Sequence, residues 1–331
     1  MNKTDKKYLL IVRSGPNSLH PEWKDETTHA KNFDLLSLDY FKEEGAERKE
    51  SNTSDFNENI PGPKVYGLFH WLNNNPNAFE TYKYIGFFDD DIRTNDNDIS
   101  RLFSYIDALD LQIAQPALTP ESNYSLMITR QHKSFMHRWT NWVEIMCPIF
   151  RSDILKKAFG TFQLNLHGGG ALENIWPSFC SPVVGSIAVI DKIPVHHTRP
   201  TGSAGSGSPG DQNSKLKYHR KKIVGIQTGL FNPPVDNICG VTTEGDFLHA
   251  GEHKFYQLLV NDVNNEGLQN HPLINENGDV NSSTRYFLDY AQNAKKNFEA
   301  ISECESNQPL TESLAMAAIK ASLLTTELQS I

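Results

Sequence analysis

Residues 82–98 read YKYIGFFDDDIRTNDND, and the fold follows from this stretch. A short apolar run, Tyr84 to Phe88, is followed at once by Asp89, Asp90 and Asp91. A run so brief and continuously apolar reads as a buried strand of an α/β sheet. In open α/β sheets ligands gather at the carboxyl ends of the strands, which is where the three carboxylates stand. Aspartates two apart can both turn toward one hard cation. Magnesium or manganese held that way keeps its remaining positions for water and phosphate oxygens. A metal bridging a diphosphate neutralises the charge that develops as a nucleotide leaves, which is Lewis-acid help to glycosyl transfer. Acidic triplets also occur as solvated loops and helix N-caps, so it is the strand context that favours a metal here.

Working outward, Lys7 to Val12 (KYLLIV) runs into Arg13-Ser14-Gly15-Pro16, and Phe33 to Leu38 (FDLLSL) into Asp39, each a strand ending in a turn. Lys64 to Asn73 has the apolar spacing of an amphipathic helix, and a second helix is predicted over Asn97 to Leu109. Further strands are predicted at Leu111 to Gln115, stopping before Pro116, at Val143 to Phe150 and at Ser186 to Ile190. Strand, connection, strand, helix, strand is the parallel α/β pattern.

The character of the chain changes at Thr201 to Ser214, TGSAGSGSPGDQNS, which reads as a flexible loop. A basic run, KLKYHRKK, follows at Lys215 to Lys222. Residues 1–202 are therefore taken as the main domain, 203–222 as a loop and 223–331 as a mainly helical extension. Two amphipathic stripes mark that extension: Phe287, Tyr290, Ala294, Phe298 and Ile301, then Leu310, Leu314, Ala317, Ala321, Leu324 and Leu328. The default partner for such a stripe is the chain's own core, with a homodimer seam or peripheral membrane contact as alternatives.

A chain of 331 residues holds one large α/β domain with an appendage or two domains. Its net charge of −9 argues against nucleic acid as a partner, because neutralising phosphates needs a basic surface. No stretch approaches the ~18 uninterrupted apolar residues of a bilayer span, and the N-terminal apolar run is too short for a secretory signal, so a cytoplasmic location is expected. Cys147, Cys180, Cys239 and Cys304 lie far apart, and read as reduced, mostly buried thiols rather than a zinc or redox motif.

Two other segments carry candidate chemistry. Ile187 to Val195 leads into His196-His197-Thr198-Arg199, where an imidazole could complete a manganese-type ligand set and Arg199 could face phosphate oxygens. Gln163 to Phe179, QLNLHGGGALENIWPSF, has three glycines that allow a backbone to approach a ligand closely. Just past them, Glu173 could take a proton from an acceptor hydroxyl, or be a helix N-terminal charge. Glu144 lies inside an apolar segment, where a carboxylate is costly unless paired or used.

Together these segments resemble the family catalogued as domain of unknown function 707, itself similar to glycosyltransferases of the GT-A fold. The resemblance rests on YKYIGFFDDDI, AQPAL (Ala114 to Leu118), Thr129-Arg130 with His137-Arg138, WVEIMCPIF (Trp142 to Phe150), QLNLHGGG (Gln163 to Gly170) and VIDKIPVHH (Val189 to His197), in the family's order. It covers roughly residues 8–202. It implies a GT-A-like core, a Rossmann-like mixed sheet flanked by helices, with the metal on Asp89, Asp91 and one histidine, His197 by the family's spacing rather than His196. It also implies a nucleotide site at the first strand ends, with Arg13, Ser14, Asp39 and Lys64 as local candidates. Asp90, Glu144, His167, Gly169, Gly170 and Arg199 join the donor-side set, Glu144 and His167 orienting the sugar. Two departures touch the base: Gly169 replaces the family's tryptophan, and Glu173 falls on the acidic position only with one residue inserted.

The expected activity is transfer from a nucleotide-diphosphate sugar to a glycan or lipid-linked glycan, by a single inverting displacement with Mn2+ or Mg2+ as cofactor. Synthesis of a surface polysaccharide at the inner face of a membrane is the expected setting. A nucleotidyltransferase of related fold would use similar aspartates, and a non-catalytic sugar-binding module could keep the same fold.

Overall fold

The computed structural model describes residues 5–24, 31–41, 54–166, 172–182, 185–200 and 235–265. Within these the strands are β1 (Tyr8–Ser14), β2 (Phe33–Asp39), β3 (Phe56–Asn59), β4 (Tyr84–Asp89), β5 (Ile92–Arg93), β6 (Ile113–Leu118), β7 (Phe135–Thr140), β8 (Ile149–Arg151), β9 (Ile187–His197), β10 (Asn237–Thr242) and β11 (Phe247–His249). The α-helices are α1 (Lys64–Asn74), α2 (Ala78–Thr81), α3 (Asp96–Ala108), α4 (Ser152–Ala158), α5 (Leu172–Ile175) and α6 (His253–Asn265). The expected mixed sheet with flanking helices is present. Two compact units share the chain, one drawn from Met1–Ser104, Glu144–Cys180 and Gly202–Pro233, the other from Tyr105–Val143, Ser181–Thr201 and Pro234–Ile331.

In the first unit the strand order is β8-β4-β1-β2-β3. β1 lies parallel to both β2 and β4, pairing Ser14 with Asp39 and Arg13 with Asp89. The continuous apolar run of β1 is buried along its whole length, as a strand covered on both faces requires. From β1 the chain steps outward to β2 and β3, then returns through α1 to β4 on the other side of β1. That reversal makes the carboxyl ends of β1 and β4 a topological switch point, where a crevice opens in open α/β sheets.

Local signals explain the helices. Ile99, Leu102, Phe103 and Ile106 form the buried stripe of α3. Its start is capped by Asn95, whose Oδ1 accepts the Asp98 N–H at 2.8 Å while Asn95 Nδ2 donates to the Asp98 carboxylate at 2.9 Å. The NDND tail of the acidic stretch thus includes a helix cap.

Two strands differ from expectation at prolines. The strand expected over 143–150 is confined to Ile149–Arg151. Pro148 has no N–H for a ladder, yet its carbonyl accepts from Phe87 at 2.9 Å and that of Met146 from Asp89 at 3.0 Å, so the segment follows β4 irregularly. β6 runs through Pro116 to Leu118 instead of stopping before it. Its register against β9 shifts between Pro116 and Leu118, and that irregularity accommodates the missing donor.

In the second unit the order is β11-β10-β7-β9-β6. β6 and β9 are parallel, whereas β7 is antiparallel to both β9 and β10. The extension expected to be mainly helical therefore begins, in its described part, with two strands. α6 follows and packs Phe255 and Leu259 against Phe135, Leu248 and Ala250. The two C-terminal stripes, from Phe287 to Leu328, lie outside the described residues, as do the Gly/Ser loop and the basic run.

The second unit also buries a polar network. Arg138 clamps Asp191 through Nε at 2.9 Å and Nη2 at 3.0 Å, both side chains fully buried. The same guanidinium donates to Asn237 Oδ1 at 3.1 Å and to the Arg130 carbonyl at 2.8 Å. The His137-Arg138 and Val-Ile-Asp segments thus have a structural task, tying β7 to β9.

Candidate metal and donor site

The site begins where β1 and β4 end. Asp89, Asp90 and Asp91 follow one another, but their side chains go to different places. The Asp90 carboxylate accepts the Gly15 N–H and the Tyr40 hydroxyl, both at 3.1 Å, and its carbonyl accepts from Leu19 at 2.7 Å. Asp90 thus fixes the loop leaving β1. A Cβ at Gly15 would fall 2.1 Å from the Tyr40 oxygen, so any larger residue there would push that hydroxyl away.

Asp89 lies 2.7 Å from Lys64 Nζ. Asp89, Asp91 and His197 each offer one ligand atom, and these atoms all lie within 4.8 Å of one another. Such a group could hold a metal ion. Its two carboxylate oxygens and one imidazole nitrogen suit Mn2+ or Mg2+ better than a thiolate-seeking metal.

His197 is held in place by its own surroundings. It closes β9, where Asp191, Ile193, Val195 and His197 alternate to the buried face and His196 takes the other. Its N–H donates to Ser122 Oγ at 3.0 Å, and its Nδ1 lies 2.6 Å from the Asn123 carbonyl. A carbonyl can only accept, so Nδ1 carries the proton and the ring nitrogen with the lone pair is Nε2. Ser122 and Asn123 carry no sequence signal for this role, because one contributes a hydroxyl to a backbone N–H and the other only a backbone carbonyl.

The nucleotide-side candidates occupy the neighbouring strand ends. Ser14 Oγ donates to Asp39 at 2.7 Å, with Ser37 joining at 3.3 Å. Arg13 donates to the carbonyls of Leu38, Ile60 and Gly62 at 3.2, 2.9 and 2.6 Å, and is almost wholly buried. Burial pushes its guanidinium down to about 10, against the opposing pull of Asp39. Gly67 allows the close approach of α1, since a Cβ there would sit 2.3 Å from the Arg13 guanidinium carbon. Arg13 is thus engaged with the backbone of its own sheet edge. Nearby His20 is driven down to about 4 by burial.

Glu144 and Glu173 are both buried, Glu173 in the first turn of α5. Arg199 is partly buried just beyond β9. Cys147 is buried beside the acidic groups, and its thiol is pushed well above the ordinary range by that burial and then by Glu144. Cys180 and Cys239 are likewise buried free thiols, while Cys304 lies outside the described residues. So do His167, Gly169 and Gly170.

Carboxylates at the switch point of an α/β sheet are thus a candidate metal centre. Residues 72–228 match the family described as Protein of unknown function (DUF707), the family the motifs resemble. Among solved structures the chain is similar to S. aureus TarS, at 12% identity and a TM-score of 0.46, covering 67% of this chain and 39% of that one. It is also similar to TarS 1–349 in complex with UDP-GlcNAc, at 12% identity and a TM-score of 0.43, covering 67% and 66%. The chain thus spans well under half of the longer TarS structure. No curated protein matches the sequence. Among the described residues, no helix is long and apolar enough to cross a membrane.

Proposed function

We propose that this protein is a metal-dependent glycosyltransferase of the GT-A type, moving a sugar from a nucleotide-diphosphate sugar to a glycan or lipid-linked glycan. The observation that carries the reading is the Asp89, Asp91 and His197 group, with the His197 tautomer set by the Asn123 carbonyl. A divalent ion held there would supply Lewis-acid neutralisation of the donor diphosphate. Ser14 and Asp39 at the ends of β1 and β2 serve the nucleoside side of the donor. Arg13 and Asp90 hold the loops that shape that edge. Lys64 stands beside Asp89 at the nucleotide side, Arg199 and the Gly169–Gly170 backbone answer phosphate charge, and Glu144 and His167 orient the sugar.

Glu173 acts as the base. The acceptor hydroxyl oxygen forms a bond to the anomeric carbon as that carbon's bond to the diphosphate oxygen breaks, and Glu173 takes the hydroxyl proton. A single displacement of this kind inverts the anomeric configuration. The biological setting proposed is surface polysaccharide synthesis at the inner face of a membrane.

The test is a thermal-shift panel of nucleotide sugars, UDP-GlcNAc among them, with and without Mn2+, on the wild type and on Asp91→Asn. Ligands that bind only the folded protein raise its melting temperature by mass action. A manganese-dependent rise in the wild type that disappears in Asp91→Asn is expected. Silence of every nucleotide sugar would overturn the reading, and a larger response to nucleoside triphosphates would favour nucleotidyl transfer.

A further inference from the structure

We infer that Lys64 is a built-in counter-ion that competes with a divalent cation for Asp89, and so sets how tightly that cation is held. This rests on the metal reading of Asp89 and Asp91 above. Lys64 Nζ is surrounded by three acceptors: Asp89 Oδ1 at 2.7 Å, the Ile145 carbonyl at 2.6 Å and the Met146 carbonyl at 3.0 Å. An ammonium has three N–H donors, so the count is complete.

Nothing local favours a cation at this place. Lys64 opens α1, where the helix dipole presents its positive end, the first turn contains no acidic residue, and the preceding Pro63 gives no side-chain cap. What holds the ammonium is tertiary. The irregular 143–148 segment leaves the Ile145 and Met146 carbonyls turned to Lys64, and the Met146 carbonyl also accepts the Asp89 N–H at 3.0 Å. One short segment therefore positions both the lysine and the carboxylate it neutralises.

An ammonium in contact with Asp89 Oδ1 occupies lone-pair space that a metal would use and repels a second positive charge. A divalent ion must then share Asp89 with Lys64 or displace it. Lys64 is a positioning residue in this scheme. Its removal should tighten metal binding, whereas a residue that merely supported the fold would loosen it.

The experiment measures Mn2+ affinity, with the metal alone, in the full-length wild type, Lys64→Met and Lys64→Gln. Gln keeps donors for the carbonyls without the charge, and serves if Met is poorly folded. Binding about fivefold tighter in both variants is expected, roughly the effect of one partly exposed ion pair. Lys64→Arg, which keeps the charge, should bind as the wild type does. Equal or weaker affinity in the neutral variants overturns the inference. Thermal unfolding of Lys64→Met, Asp89→Asn and the double variant without metal separates the two readings. If the pair is energetically coupled but neither wild type nor variant binds Mn2+, the metal reading falls and the competition with it. If Mn2+ binds but no tighter in the neutral variants, the competition alone is refuted.

Discussion

Replacing Asp191 by alanine should cost the second unit much of its stability, and the size follows from what the carboxylate holds. Oδ2 accepts from Arg138 Nε at 2.9 Å, while Oδ1 accepts from Arg138 Nη2 at 3.0 Å and from the His132 N–H at 2.8 Å. Both charged side chains are inaccessible to solvent. Breaking a buried pair by removing one partner costs about 3–5 kcal/mol, because the remaining charge has no water to replace it. The orphaned His132 N–H adds about 1 kcal/mol or more. A loss of about 4–6 kcal/mol is expected, a large part of the ~5–15 kcal/mol that holds a typical domain.

Urea denaturation followed by tryptophan fluorescence reads this as a shift in midpoint. Asp191→Ala combined with Arg138→Met should recover at least ~2 kcal/mol, because the buried charge is gone although Asn237 and the Arg130 carbonyl lose their donors. A single-variant loss below about 1 kcal/mol, or a double variant no better than the single, would refute the reasoning. Asp191 shares the buried face of β9 with His197, so the variant should also weaken Mn2+ binding.

Two further outcomes are expected. Ser122→Ala deprives the His197 N–H of its acceptor, and should weaken Mn2+ binding by roughly 10-fold, as loss of a partner that orients a metal ligand does; calorimetric titration with an unchanged affinity would show that Ser122 serves the fold alone. Burial lowers His20 to about 4 and His137 to about 3, so between the ordinary 6.5 and those values the unfolded chain binds protons that the folded one refuses. Stability present above pH 6.5 should therefore fall as pH falls, by about 1.4 kcal/mol per pH unit for each histidine. Denaturation midpoints from pH 6 to 4.5 check this, and His137→Gln should remove one histidine's share of the slope.

The strands that read most clearly are those with one cause. β1, β2 and β4 are short apolar runs buried on both faces, and their residues alone fix both type and approximate bounds. β3, with only Phe56 apolar, and β7, with its histidine and arginine, gave no such signal, because their place in a sheet comes from neighbours. The segment 143–150 misled because composition reports burial but not whether backbone groups join a ladder. Its carbonyls are turned to Lys64 and to the N–H groups of β4.

The sequence by itself determined that carboxylates would stand at the end of a parallel strand, since a buried apolar run must end in polar residues. It also supplied candidate ligands, and ordered motifs that resemble one family's put Asp89, Asp91 and His197 forward as a possible metal set. Only the tertiary structure decided how neighbouring aspartates divide their work: Asp90 to the loop after β1 and Asp89 to Lys64. Tertiary structure also placed His197 Nδ1 against the Asn123 carbonyl and set a lysine against a helix dipole. Such choices depend on contacts between residues tens of positions apart, and no local pattern encodes the direction in which a side chain will find its partner.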